Sequence, residues 1–374
     1  MTVAIVRGIQ RALERQDLSR AEMAEIVGQI MDGQATAAQI GGLLVALRAK
    51  GEAVDELVGA AAAMRSRALA LQCPSLDRSI DTCGTGGDGS HTVNISTLAA
   101  ILIAACGGVV AKHGNRALSS KCGSADVLEA LGVGADVEPA VVERSMQVAN
   151  IGFAFAPRFH AATRHASGPR KELGTRTIFN LLGPLTNPAN VRHQVVGVFD
   201  RKWCEHVASA LGALGLRRAA VVHGEGNIDE IAVRGETHVA IWDEPASVVR
   251  TLQLSPRSFG VRECDPSGLA GGDAAFNANV LRKVIAGRDC ADDQRYEAVL
   301  HAAAMTAALG LELLQESTLD LSRLPVHYER AVSVVRSGEA RLVLHKWREV
   351  SNATLGESLD NLAALKPSDY IGVE

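Results

Sequence analysis

From about Arg78 the chain follows one pattern that few architectures accommodate: short apolar runs alternate with helical stretches, with glycine marking the junctions. "RSIDTCG" is followed by a helical stretch from about Ser96 to Ala105, then "GVVAKHG", a helical stretch near "SADVLEALG", and "IGFAFAP". After a second helical stretch, "QVVGVFD", "RAAVVHGEG" and "THVAIWD" resume the apolar runs. Short apolar runs alternating with helices imply crossover connections and hence an α/β domain with a largely parallel central sheet. Before it, Ile5, Ile9, Leu13, then Met23, Ile26, Val27, Ile30, Met31, then Ile40, Leu43, Leu44 and Leu47 recur at helical spacing. The expectation is a small helical domain over residues 1–72, joined by part of 170–192, an α/β domain over 73–353, and a C-terminal tail over 354–374.

Charge and cysteine usage narrow the partners. The formal net charge is -4 and no dense run of Lys and Arg occurs, which argues for small-molecule partners over nucleic acid or an anionic membrane. Cys73, Cys83, Cys106, Cys122, Cys204, Cys264 and Cys290 are scattered without a C-x-x-C pair, as expected of free thiols in a reducing compartment. The opening "MTVAIVRGIQRALERQDLS" has no signal-peptide block, and the run "LAAILIAACGGVVA" is too short to span a bilayer. A soluble cytoplasmic protein is expected.

Three strand ends carry the candidate chemistry. "DTCGTGGDGSHTVNIST" places Gly84, Gly86, Gly87, Asp88 and Gly89 between a strand and the polar mouth of an apolar helix. Glycines let backbone N–H groups converge on phosphate oxygens, and a helix N-terminus adds unpaired donors and a positive dipole end. Alone, such a run also fits a hairpin followed by ordinary Ser/Thr capping. It matches neither G-x-x-x-x-G-K-[ST] nor a clean G-x-G-x-x-G. The next strand end, "AKHGNRALSSKCGSADVLEALG", crowds Lys112, His113, Asn115, Arg116, Ser119, Ser120, Lys121 and Ser124 together; a solvated basic loop is the plainer alternative. In a parallel sheet both loops face one crevice. The third, "VVHGEGNIDEIAV", adds Asp229 and Glu230, a pair suited to sharing magnesium with substrate phosphates.

"GTGGDG", "NIST", "KHGNRALSSKCGSADVLEALG", "RKELGTRTIFNLLGPLTNP" and "HGEGNIDEI", in this order, resemble anthranilate phosphoribosyltransferases, and "ATAAQIGGLLVALRAKGE" is similar to their helical opening. The resemblance covers roughly Val3 to Ala353. It implies the fold shared with class II nucleoside phosphorylases, also described as type III phosphoribosyltransferase. The implied activity joins the amino group of anthranilate to C1 of phosphoribosyl pyrophosphate (PRPP) with release of pyrophosphate, the second committed step of tryptophan biosynthesis. Carried over residue by residue, Gly84, Gly87, Asp88, Thr92, Asn94, Ile95, Ser96 and Thr97 would contact PRPP. So would Lys112, His113, Gly114, Asn115, Arg116, Ala117, Leu118, Ser119, Ser120 and Ser124. Ser96, Asp229 and Glu230 would hold magnesium, two ions per subunit, and Gly84, Asn115 and Arg170 would meet anthranilate. For Arg170 the reason is evident, because a guanidinium pairs with the acceptor's carboxylate. A homodimer through the helical domain is also implied.

Residue chemistry agrees with such a reaction. As C1 gains oxocarbenium character, charge grows on the leaving pyrophosphate, and magnesium with backbone donors neutralises it. The aniline nitrogen is neutral at physiological pH, so neither a strong base nor a covalent nucleophile is needed, and His113 is read as a positioning residue. The segment "PRFHAATRHA" keeps His160 but lacks the proline and methionine of the family's His-His-Pro-Ala-Met type sequence, so a differently shaped acceptor pocket is expected. Two rivals stand beside this reading: a pyrimidine nucleoside phosphorylase-like enzyme and a non-enzymatic nucleic-acid-binding relative. The first would have a different lysine-serine loop; the second would lack the glycine loop or the acidic pair and gain a basic face.

Overall fold

The computed structural model describes residues 3–117, 121–287, 294–354 and 359–370. Four helices open the chain: α1 (Val3–Leu13), α2 (Arg20–Met31), α3 (Ala37–Lys50) and α4 (Val54–Arg65). Ser19 with Glu22, and Thr36 with Gln39, form capping boxes that fix where α2 and α3 begin. The α/β part then runs β1 (Ser79–Gly84), α5 (Ile95–Ala105), β2 (Val109–Gly114), α6 (Ser124–Ala130), α7 (Pro139–Ala149) and β3 (Ile151–Phe155). It continues with α8 (Ala156–Phe159), α9 (Arg164–Leu173), α10 (Phe179–Leu185), β4 (His193–Gly197), α11 (Trp203–Ala213), β5 (Arg218–Gly224), β6 (Thr237–Asp243) and β7 (Val248–Leu254). Four long helices follow: α12 (Ala274–Ile285), α13 (Gln294–Leu313), α14 (Leu324–Arg336) and α15 (Glu339–Asn352).

The sheet order is β3-β2-β1-β4-β5-β6-β7. From β3 through β5 all neighbours are parallel, and these strands are buried almost throughout, as a sheet covered on both faces requires. The β5, β6 and β7 neighbours are antiparallel, and β7, which the sequence pattern did not suggest, forms a mostly exposed edge. The connections before and after β6 contain no α-helix to carry the chain back across the sheet, so these strands reverse direction.

One apolar core lies between the sheet and α5, α12, α13, α14 and α15. A second joins α2, α3 and α4 to α10, α11 and the opposite sheet face through residues such as Leu43, Leu57, Leu182, Val196, Val207 and Leu211. The segment "GPRKELGTRTIFNLLGPLTNP" accordingly returns to the helical unit: α9 packs on α2 and α3, and α10 on α4. Part of the anticipated polar tail packs against the body, with Leu362 buried and the turn at Pro367–Tyr370 against α15.

From β1 the chain steps outward to β2 and β3, then returns to place β4 on the other side of β1. That reversal opens a crevice at the C-terminal ends of β1 and β4, where ligands bind in doubly wound sheets.

Candidate functional site

The glycine-terminated strands have a common steric cause at this crevice. After β5 the chain folds back, with Gly224 N–H donating to Ile228 O at 2.9 Å, and lays Asp229 and Glu230 over the strand ends. A Cβ on Gly84 of β1 would sit 2.6 Å from Asp229 Oδ2, and one on Gly197 of β4 only 1.6 Å from Asp229 O. Neither position tolerates a side chain while Asp229 stays in place. Gly197 was not among the residues expected at the site; its signal was the glycine closing "QVVG".

Asp229 is tied to the glycine loop in both directions. Gly86 N–H donates to its Oδ2 at 2.9 Å, and its own N–H donates to Asp88 Oδ2 at 3.2 Å. Glu230 turns the other way and accepts the Ser96 N–H at the mouth of α5. Burial, then the Asp88 charge, pushes the Asp229 carboxyl above the usual carboxylate range. Burial, then the Asp229 charge, pushes Glu230 well above it, with Lys112 giving partial relief. Two acids crowded until both resist ionising are a donor set that a divalent cation would satisfy. Hard oxygen donors fit magnesium. Among the described residues no group of three or more His, Cys, Asp and Glu forms a complete cage, so substrate phosphates and water would fill the remaining positions.

The helix mouth is held open from a distance. Asn94 is the N-cap residue of α5, yet its side chain makes no capping bond. Instead its Oδ1 accepts from Asn277 Nδ2 at 2.9 Å, and its Nδ2 reaches Cys122 O at 3.4 Å. Asn277, buried in α12, spends its own oxygen on Gly272 N–H at 2.8 Å. Val93 N–H bonds Leu269 O, Gly271 N–H bonds His91 O, and Thr92 bridges Ala270, lacing the loop to the 266–273 segment. Nothing in the local sequence marks Asn277, which acts across 183 positions.

Ile95 and Thr97 are fully buried, so α5 offers its mouth through backbone and through the partly exposed Ser96. Lys112 lies beneath the crevice floor: its Nζ donates to Thr82 O at 2.5 Å and Ser96 Oγ at 3.2 Å, and burial pushes its pKa down. Gly114 leaves room for Ser124, whose Oγ donates to Asn115 O at 3.4 Å. The Arg116 guanidinium is committed to Glu129 at 2.6 Å and Asp126 at 3.2 Å, while Ala117 N–H donates to Asp126. Leu118, Ser119 and Ser120 lie outside the described residues.

A separate wall holds Arg170, whose guanidinium lies 5.0 Å over the Phe179 ring with no hydrogen-bonding or ionic partner among the described residues. His113 donates its Nδ1–H to Gly183 O, 3.1 Å away on α10, and packs edge-on against His160 with ring centroids 5.1 Å apart. Burial, then His160 and nearby cations, pushes His113 down to about 3; burial takes His160 down to about 4, so both rings are neutral. The altered 157–166 segment forms α8, a short 3-10 turn and the start of α9.

With this geometry in place, the helical bundle domain of the glycosyl transferase family matches residues 7–68 and that family's a/b domain matches residues 76–340. Anthranilate phosphoribosyltransferase from Geobacter sp. (strain M21) is 47% identical over 354 residues, covering 90% of this chain and 100% of the relative. The chain belongs to the anthranilate phosphoribosyltransferase family. The family enzyme from Anaeromyxobacter sp. (strain Fw109-5) is 50% identical over 82% of this chain and 89% of its own length. Among solved structures, anthranilate phosphoribosyltransferase from Thermus thermophilus superposes with a TM-score of 0.83 at 38% identity, covering 92% of this chain and 99% of that one. The Saccharomyces cerevisiae member in complex with PRPP and Mg gives 0.81 at 26% identity, covering 94% and 98%. The same yeast protein is also known with 4-fluoroanthranilate, at a TM-score of 0.80 and 26% identity over 95% and 99%.

Proposed function

We propose that this chain transfers the phosphoribosyl group of PRPP to the amino group of anthranilate, giving N-(5-phosphoribosyl)anthranilate and pyrophosphate, the second step of tryptophan biosynthesis from chorismate. The observation that carries the reading is the crowded Asp229–Glu230 pair, bonded on one side to the glycine loop and on the other to the mouth of α5. That is the arrangement a magnesium–diphosphate group needs.

In this reading the loop at Gly84, Gly87 and Asp88, with Thr92 and the Asn94–Thr97 helix mouth, holds the phosphates of PRPP, and the 112–120 segment with Ser124 completes the site. Asp229 faces the loop and Glu230 faces Ser96, and the pair would hold two magnesium ions. Bound there, magnesium neutralises charge on the diphosphate. Backbone N–H groups of the loop orient the leaving group as the C1–O bond breaks and the N–C1 bond forms. Arg170, free of a carboxylate partner among the described residues, takes the carboxylate of anthranilate, with Gly84 and Asn115 beside it. Neutral His113, anchored at Gly183, positions the acceptor side and does not supply a strong base. The amine proton leaves after the bond to C1 has formed, when the nitrogen has become acidic.

The exposed apolar residues Val3, Val6 and Leu13 of α1 and Val45 of α3 support a homodimer through the helical unit, and a cytoplasmic location fits the free thiols. Among the described residues no helix is long and apolar enough to cross a membrane. The deciding assay mixes the protein with PRPP, magnesium and anthranilate and follows loss of anthranilate fluorescence. Absence of loss from folded protein that binds PRPP would remove the acceptor assignment and leave the donor site standing.

A further inference from the structure

We propose that Arg176 is a positioning residue that sets the tip of the glycine loop and ties it to the helical unit. The inference rests on reading that loop as the diphosphate site. Gly86, Gly87, Gly89 and His91 all have positive φ, at 61°, 73°, 83° and 51°. A glycine-rich turn of this kind has little local preference for one conformation and loses much freedom when ordered. Its base is fixed by Thr85 N–H to Gly197 O at 2.9 Å and by Gly86 N–H to Asp229. Further along the loop, the Gly87 carbonyl accepts from the Arg176 guanidinium.

Arg176 is itself held by two neighbours. Its guanidinium lies over the Phe199 ring, 4.2 Å from the centroid, and Phe199 N–H donates to Thr85 Oγ1 at 3.0 Å. Guanidinium, ring and loop thus close a circuit of contacts. From α3, Arg48 Nη1 donates to the Arg176 carbonyl at 2.6 Å, so the helical unit grips the same residue from behind. Because a trans peptide sets C=O and N–H on opposite sides, fixing the Gly87 carbonyl on Arg176 turns the Asp88 N–H away from Arg176. One side chain therefore chooses which way a loop amide faces.

Arg176 borders a cleft of about 550 Å³ that Arg48, Phe199 and Trp203 also line. Replacing it opens no sealed core cavity, so variants should fold. The test compares wild type with Arg176→Gln, Arg48→Gln and the double variant. In ligand-free protein, Arg176→Gln should speed amide hydrogen exchange of residues 84–91 roughly tenfold, the loss of one charge-assisted hydrogen bond. It should raise KM for PRPP by a similar factor, with KM for anthranilate and Tm nearly unchanged. Arg48→Gln should act in the same direction more weakly, and the double variant should fall short of the product of the two. Unchanged loop exchange in Arg176→Gln overturns the proposal, even if KM for PRPP rises, since the guanidinium would then be touching PRPP itself. Additive effects of the two substitutions overturn the link to the helical unit. Faster exchange in the variant, together with no protection of the loop by PRPP in wild type, leaves Arg176 as a positioning residue and removes the diphosphate reading of the loop.

Discussion

Gly197→Ala changes one hydrogen into a methyl group on a strand that touches no proposed substrate position, yet it should be among the most damaging single substitutions for activity. An ideal Cβ there lies 1.6 Å from Asp229 O, 2.6 Å from its carbonyl carbon and 3.1 Å from its Cβ. All three are the aspartate's backbone or the root of its side chain, so no flexible side chain can swing aside. The Asp229 carbonyl would have to retreat by about 2 Å to reach the 3.4 Å of ordinary contact. That movement breaks the Gly86 and Asp88 bonds and carries the carboxylate off the loop. Misplacing a catalytic group by about 1 Å costs on the order of a hundredfold. We therefore expect kcat/KM for PRPP to drop at least about a hundredfold, or roughly 2.7 kcal/mol of transition-state stabilisation. The magnesium midpoint should rise with it, while overpacking lowers stability by only about 1–3 kcal/mol. Gly212→Ala is the control: its Cβ would meet the Trp242 ring at 2.4 Å, on α11 and away from the acidic pair, and should cost similar stability with unchanged turnover per folded molecule. The fluorescence assay at several magnesium concentrations, with urea unfolding alongside, reads both. Activity within about threefold of wild type, at an unshifted magnesium midpoint, would refute the steric argument.

Arg170→Ala should raise KM for anthranilate by about tenfold or more, the worth of a charge-assisted hydrogen bond, and leave KM for PRPP within about twofold in initial-rate measurements. Asn277→Ala should release the Asn94 side chain to cap α5 in competition with phosphate, raising KM for PRPP roughly tenfold; an unchanged value would show that the α5 mouth needs no distant support. His193, buried at the start of β4 with Nδ1 at Ser79 O, is pushed by burial down to about 4. The unfolded chain binds a proton there that the fold refuses between about pH 6.5 and 4, so stability falls with falling pH across that window by up to about 1.4 kcal/mol per unit. His193→Leu should flatten the slope of unfolding free energy against pH by that amount across the same window, and an unaltered slope would assign the effect elsewhere.

How much of this was legible in the sequence follows from the distance over which each residue acts. The glycine loop, "KHGNR" and "IDE" are contiguous strings at strand ends, and a parallel sheet brings such ends together by topology alone. Gly197, Asn277 and Arg176 carry no such string. Each matters because of one atom of a residue 32, 183 or 89 positions away, respectively Asp229, Asn94 and Gly87. The reversal of β6 and β7 was hidden because the apolar pattern of β6 resembles that of the parallel strands, and only the helix-free connections distinguish it. Lys112 was expected at the PRPP site from its place in "AKHGNR", and the string alone does not show that the pleat turns it under Ser96.

The second apolar core has a consequence for how such a chain can be taken apart. Leu43 and Leu57 of the opening helices share it with Leu182 of α10, Val196 of β4 and Leu211 of α11, so the bundle's interior is walled in part by residues more than a hundred positions downstream. The stretch between residues 68 and 76, where the two matched domains of the glycosyl transferase family meet, is therefore not a boundary of folding. A chimaera that imports a relative's first four helices must also import its counterparts of α9 to α11. A chain severed there would yield two pieces that each lack half of an interior.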